Sequence, residues 1–296
     1  MRTALVVTLA LALAGTVVPR AQTGKKVYVS VDMEGISGVN GDDQTSAGQP
    51  EYGRARKLMA EDANAAIRGA FAGGATEVVV NDAHGDYRNL LPDELHPSAR
   101  LIVGKPRALG MMAGVDTGCA AVLLVGYHAR AQTRGTLAHT INSFAFARVL
   151  VDGREVGEAA LCAGVAGEFG VPVALITGDD VFVAETRAWI PDAAAVVVKD
   201  AQGHRTATSL APTAACEAIA AGAREAVRRI PGLAPLRVPA PLVVGVEATG
   251  PALADLFALP PFVRRTGATT VEFDAASMVD AVRLLNTLSA MSSVLR

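Results

Sequence analysis

Short apolar runs that stop at polar or acidic residues punctuate this chain. Residues 27–31, VYVSV, read as a buried strand that stops at Asp32, with Glu34 two positions on and Gly35 and Gly38 behind it. The polar loop 40–50 leads into 51–72, whose Leu58, Ala65 and Ile67 contribute to the apolar side of a helix that Gly73 and Gly74 end. A second strand, 77-EVVVND-82, follows and runs straight into Ala83 and His84. Strand, helix, strand at this spacing predicts a parallel pair with a covering helix. Further strands are predicted at 99–106, 119–129 and 171–180, a hairpin around the Asp152-Gly153 turn, and a helix over 158–170.

Beyond a short helix at 181–189 the pattern becomes plainer. A strand at 194–200, an alanine-rich helix over 212–229 and a proline-rich connector from Pro231 to Pro241 precede strands at 242–248 and 269–275 and helices at 251–259 and 276–291. The expectation is an α/β protein with a central, mostly parallel sheet flanked by helices and a smaller second α+β domain. The first domain is placed at 26–190 and the second at 191–296. No Rossmann glycine fingerprint follows the first strand, and no Walker motif occurs.

Residues 1–23 stand apart. Arg2 precedes an almost unbroken apolar run from Ala4 to Ala14, and Ala21 offers a small residue for cleavage. This pattern predicts a secretory signal peptide, hence an exported, periplasmic protein without stable membrane insertion after cleavage. The apolar run is shorter than the roughly 20 residues a spanning helix needs. Across all 296 residues the formal net charge is −2, which gives no footprint for a nucleic-acid partner. Cys119, Cys162 and Cys216 lack any CxxC or zinc spacing and are expected as isolated thiols.

The chemistry concentrates at predicted strand ends. Asp32 and Glu34 share one side of a period-2 strand, and two neighbouring carboxylates there repel each other and resist burial. A cation must neutralise them, and few basic residues follow directly. Only five histidines occur, and two of them, His84 and His128, sit just past strand ends, the edge where α/β sheets bind ligands. Glu158 opens the helix after the hairpin. Asp32, Glu34, His84, His128 and Glu158 are therefore the candidate metal ligands. Carboxylates with neutral imidazoles suit zinc, and five ligands suit two ions sharing a carboxylate, with Asp32 or Glu34 as the bridge. Such a pair activates water and polarises a carbonyl, the chemistry of an aminopeptidase or amidase. His139, behind the loop containing Gly135, suits a group that reaches the site without ligating. Asp82, Asp86, Asp179 and Asp180 read either as partners orienting a ligand or as turn residues. His96 reads as surface, and His204 as a basic loop residue.

Taken together, SVDMEGISG, VVNDAHGD, LLVGYHA, TLAHT and VDGREVGE resemble the M55 metallopeptidases, the D-aminopeptidase family, and the likeness runs from about Lys26 to the end of the chain. The resemblance implies a two-domain α/β subunit with two zinc ions, manganese and cobalt remaining open, that hydrolyses short peptides with an N-terminal D-residue such as D-Ala-D-Ala. By motif, Asp32 is similar to the family's bridging aspartate. Glu34 and His84 match the other ligands of one ion, His128 and Glu158 those of the second, and His139 the non-ligand catalytic histidine. It further implies a small-peptide substrate and a ring-like homo-oligomer, a decamer. Two other classes compete with this reading: a periplasmic peptide- or metal-binding protein without catalysis, and another two-metal hydrolase, such as a phosphoesterase or an L-specific peptidase. Arg130 and Arg134 are the nearest basic residues for a phosphate or a peptide carboxylate.

Overall fold

A computed structural model describes residues 24–296. The signal peptide expected at 1–23 lies outside the described residues. In chain order the elements are β1 (Lys26–Val31), a short α1 (Asp42–Thr45), α2 (Tyr52–Ala72), β2 (Glu77–Asp82), β3 (Ala99–Ile102) and β4 (Cys119–Tyr127). The hairpin β5 (Phe146–Val151) and β6 (Arg154–Glu155) leads to α3 (Glu158–Glu168), β7 (Val173–Asp179), α4 (Asp180–Thr186), β8 (Ala194–Gly203), β9 (Thr206–Ser209) and α5 (Pro212–Arg229). The chain closes with β10 (Leu242–Ala248), α6 (Pro251–Phe257), β11 (Arg264–Arg265), β12 (Thr270–Ala275) and α7 (Met278–Met291). Among the described residues no helix is long and apolar enough to cross a membrane.

Two sheets form. The larger has seven strands in the order β3-β2-β1-β4-β7-β8-β9, parallel except for the antiparallel β9. Its central strands β1, β2, β4 and β7 are buried and largely apolar on both faces because both faces are covered. Val27, Val29 and Val31 of β1 point into a core shared with α2 and α5, while Tyr28 points to the opposite core. The smaller sheet has five antiparallel strands in the order β11-β12-β10-β5-β6. Here the pattern alternates: Leu242, Val244, Val246 and Ala248 of β10 are buried and Val243 is exposed. The buried face joins Tyr28, Val122 and Leu124 of the large sheet, Leu161 and Val165 of α3, and Leu285 and Leu288 of α7 in one continuous core.

The division between sheets differs from the one expected at residue 190. Residues 194–229 complete the large sheet: β8 pairs in parallel with β7, and α5 packs on α2 through small alanine side chains. Conversely, β5 and β6 leave the first half of the chain to join β10. Strand pairing is a non-local choice, which an apolar run such as 194–198 does not itself specify. The proline-rich segment 231–241 does serve as a connector, carrying the chain from α5 to β10.

Candidate metal centre

Past the end of β1 the chain turns sharply under the end of β4. The Asp32 amide donates to the Val125 carbonyl at 2.8 Å and the Gly35 amide to Gly126 at 2.7 Å. Glycine is required at both contacts. A β-carbon on Gly35 would lie 1.9 Å from the Tyr127 carbonyl oxygen, and one on Gly126, at φ +71°, would lie 2.3 Å from that of Asp32. The strand itself stops at Val31, so this turn, rather than strand alternation, brings Asp32 and Glu34 to the same place.

His84 follows β2. Asp82 organises its loop by accepting the amides of Asn89 (2.6 Å) and Leu90 (2.8 Å), while the Asn89 side chain donates to the His84 carbonyl at 2.7 Å. Asp82 thus shapes the backbone and does not touch the ring. His128 follows β4, and Glu158 is the first residue of α3, where the helix terminus favours a negative charge. The Ile141 amide donates to Glu158 Oε1 at 2.6 Å.

The three imidazoles share one arrangement. His84 Nε2 donates to the Thr45 carbonyl (2.7 Å), His128 Nδ1 to Ala129 (3.0 Å) and His139 Nδ1 to Leu137 (2.9 Å). A carbonyl only accepts, so this network assigns a proton to each of those nitrogens and leaves the other ring nitrogen facing carboxylates. His84 Nδ1 lies 2.9 Å from Glu34 Oε2 and 3.3 Å from Asp32 Oδ1. His128 Nε2 lies 3.2 Å from Glu158 Oε2 and 3.4 Å from Asp32 Oδ2. His139 stacks on His128 with ring centroids 4.1 Å apart, and its Nε2 is 3.8 Å from Glu158 Oε1. Asp32 therefore stands between two histidines, one carboxylate oxygen toward each.

The electrostatics demand a cation among these groups. Burial and the adjacent Glu34 charge push the Asp32 carboxyl up to about 8. Burial works against charge on Glu34 as well, but His84 beside it holds its carboxyl well below the usual range. Burial also opposes charge on His84 and His128, yet the surrounding carboxylates raise both, His128 to about 10. His139 moves the other way, lowered by burial and by the neighbouring His128. Asp32 Oδ2 and His128 Nε2 are buried without a hydrogen-bond partner. Bare ring nitrogens aimed at carboxylates need either shared protons or metal ions, and a second hydrogen bond from each histidine to a carbonyl is how metal-binding imidazoles are oriented. Ligand-capable atoms of Asp32, Glu34 and His128 all lie within 4.8 Å of one another, as do those of His128, His139 and Glu158. The residues fit a pair of divalent ions.

A family model described as D-aminopeptidase, peptidase family M55, matches residues 25–287. The chain belongs to the M55 peptidase family. A D-aminopeptidase of Bacillus subtilis strain 168 is 35% identical over 268 residues, covering 90% of this chain and 97% of the relative. A solved structure, titled Zn-dependent D-aminopeptidase DppA from Bacillus subtilis, a self-compartmentalizing protease, superposes with a TM-score of 0.88 at 35% identity, covering 90% of this chain and 98% of the other.

Nothing in the sequence pattern of this M55 chain marks Lys199 or the left-handed residues of the site. Lys199, on β8, is buried beneath the metal turn, and its ammonium donates to the carbonyls of Glu34, Ile36 (3.2 Å) and Val39. Burial lowers it to about 8. Tyr87, Leu137 and Ile141 all line the site with positive φ, between 53° and 62°. For a β-branched residue such as Ile141 that conformation is strained by about 1–3 kcal/mol, and here it turns the amide toward Glu158. Asp179 caps α4 through the Phe182 amide and holds the loop before His139 through the Thr136 amide, each at 2.7 Å. Asp180 accepts from the Ala201 amide and Asp86 from the Arg88 amide; neither orients a ligand. Cys119, Cys162 and Cys216 are free thiols. His96 lies outside the site, and His204 reaches the cavity rim, its carbonyl accepting from the Leu137 amide.

These groups open into a cavity of about 1120 Å³ whose far wall is α7 and the residues after it. Arg130 and Arg134 do not line it. Arg130 pairs with Glu155 and Glu185, and Arg134 points to solvent. The cations that do line the cavity are Lys105, Arg107, Arg205 and Arg296.

Proposed function

We infer that this protein is a binuclear zinc aminopeptidase acting on short peptides with an N-terminal D-residue, D-Ala-D-Ala among them. One observation carries the reading: three histidines each fixed by a backbone carbonyl, with their free nitrogens converging on Asp32, Glu34 and Glu158. Glu34 and His84 would hold one ion and His128 and Glu158 the other, with Asp32 shared. Bound there, the zinc pair supplies an activated water and Lewis acidity toward the scissile carbonyl.

The chain's own residues do the rest. With two zinc ions bound the three carboxylates are outweighed, so a substrate's free amine would enter as a neutral ligand rather than by attraction to negative charge. His139, held through Nδ1 and less buried than the ligands, offers Nε2 to take a proton from the attacking water or return one to the leaving amine. Lys199 and the two glycines lock the turn beneath, so Asp32 and Glu34 hold their geometry without reorganising.

The relative's description as self-compartmentalizing supports assembly of this chain into a homo-oligomer as well, and a ring-like decamer is the form we propose. The apolar run behind Arg2 and the small residue Ala21 both lie ahead of the family match, which begins at residue 25; this supports export to the periplasm.

The test is metal content together with hydrolysis by the purified mature protein, assayed with D-Ala-D-Ala and L-Ala-L-Ala side by side. About two zinc ions per chain and preference for the D-peptide are expected. Preference for the L-peptide would overturn the specificity, and absence of both metal and turnover after zinc addition would overturn the enzyme.

A further inference from the structure

The cavity holds a second group of polar atoms, remote in sequence from the metal ligands. Asn286, on α7, lines the cavity, and its Nδ2 is buried without a hydrogen-bond partner. Arg107 lines it too. Its terminal nitrogens are engaged by Asn81 Oδ1 and by the Asp82 carbonyl at 2.6 Å, but its Nε is buried and unpartnered. Tyr87 stands between them: the Arg107 guanidinium lies over its ring, 3.8 Å from the centroid, and its hydroxyl makes no hydrogen bond among the described residues. A bare α-carbon makes the convergence possible. A β-carbon on Gly110, at φ +49°, would lie 2.8 Å from Asn286 Nδ2 and 3.0 Å from the Tyr87 hydroxyl.

All three free groups, an amide N–H, a guanidinium N–H and a phenol O–H, are donors. Two buried donors left unpaired disfavour the fold unless an acceptor arrives, and the acceptor that suits several convergent donors beside a cation is an anionic oxygen. The other cavity cations are less free. Arg205 is paired with Asp42, and Arg296 lies over the Phe144 ring and reaches Asn142. Exposed Lys105 stands at the rim beside Arg107 and adds positive charge on the same side.

We propose that Tyr87, Asn286 and Arg107 form the subsite that receives the C-terminal carboxylate of a short peptide, with Asn286 and Tyr87 as the specificity-determining donors. The inference rests on the aminopeptidase reading and extends it. The metal centre would take the amine end of the peptide; the donor cluster, which offers N–H and O–H groups beside a guanidinium, takes the carboxylate. A substrate whose carboxylate lies too near or too far from its amine cannot satisfy both, so the subsite acts as a ruler for peptide length.

The test compares D-Ala-D-Ala with its C-terminal amide, which keeps the scissile bond and removes the charge. The metal-loaded wild type is expected to favour the acid about tenfold in kcat/KM, through KM. Asn286→Asp, nearly isosteric, replaces a donor with a repelling carboxylate. It should raise KM for the acid about 10- to 100-fold and KM for the amide far less, so that the preference for the acid is lost. Tyr87→Phe should act in the same direction, more weakly. Equal losses on acid and amide would mean that these residues support the fold or the chemistry and would overturn the proposal. Unchanged kinetics in Asn286→Asp, or a wild type indifferent to the carboxylate, would do the same. If the wild type cleaves neither peptide, the aminopeptidase reading fails, and calorimetric binding of the same pair still decides the subsite. Acid-selective binding that Asn286→Asp abolishes upholds it; equal binding of acid and amide overturns it.

Discussion

The strand ends of the parallel sheet present Asp32, Glu34, His84 and His128, whereas among the described residues the antiparallel sheet presents no candidate ligand on any strand. Its side of the cavity offers Glu158, from the helix that follows its hairpin, and the polar face of α7. The parallel strands are buried on both faces and locked by neighbours, which suits groups that must not move. The antiparallel unit is half exposed and alternating, which suits a wall that can vary with the substrate. One sheet fixes the chemistry and the other shapes what reaches it.

Replacing groups on each side measures that division. Asp32→Asn should have the largest effect, because both histidine pairs share this carboxylate: metal retention should collapse and kcat fall by roughly 10³-fold or more, read by elemental analysis alongside peptide hydrolysis. His139→Ala should retain the metal and lose about 10²- to 10⁴-fold in kcat; loss of metal along with activity would instead make His139 a ligand.

Lys199→Met tests the support beneath the turn. It strands the Glu34 and Val39 carbonyls, Ile36 keeping the Val39 amide, and should lower stability by about 2–5 kcal/mol in urea denaturation, with weaker metal retention than wild type. The opposite sign is expected for Asp62→Asn on α2. Burial raises the Asp62 carboxyl from 3.8 to about 7, and its Oδ2 has no partner. The folded state therefore holds a proton that the unfolded state releases, so this group lowers stability as pH rises from about 4 to 7 and keeps it lowered above. At pH 8 the Asn variant should be more stable by about 2–4 kcal/mol, a gain that vanishes near pH 4. The smallest contrast compares the sheets directly: Val29→Thr buries a hydroxyl in a fully enclosed strand and should cost about 2 kcal/mol, while Val243→Thr, on the exposed face of β10, should stay within about 0.5 kcal/mol.

The same contrast explains what could be read from the chain. Histidines placed directly after apolar runs betrayed the strand ends, because a buried parallel strand tolerates such residues only where it emerges. Glu158 was legible because a hairpin and a helix start bracket it. Lys199 was not. It reaches the metal turn from 165 residues downstream of Glu34, and a lysine in AAVVVKD looks like the polar end of any strand. Likewise, nothing local marks Ile141 for a left-handed backbone, since the fold imposes that conformation to aim its amide. The sheets do not divide at residue 190 for a related reason: composition follows sequence order, while β5, β6 and β8 choose partners across it.

That exchange of strands has a mechanical consequence. A pair of lobes joined by one linker can open and shut like a jaw. Here the polypeptide passes between the two sheets three times, between residues 127 and 146, 155 and 173, and 229 and 242. Three tethers anchored at separate points, around a shared apolar core, resist any swing of one lobe on the other. Peptides then enter and products leave through a mouth whose width that shared core holds, past Lys105, His204 and the chain end after α7. A vessel of that kind selects by the size of its neck, so residues there sort peptides without touching the reaction.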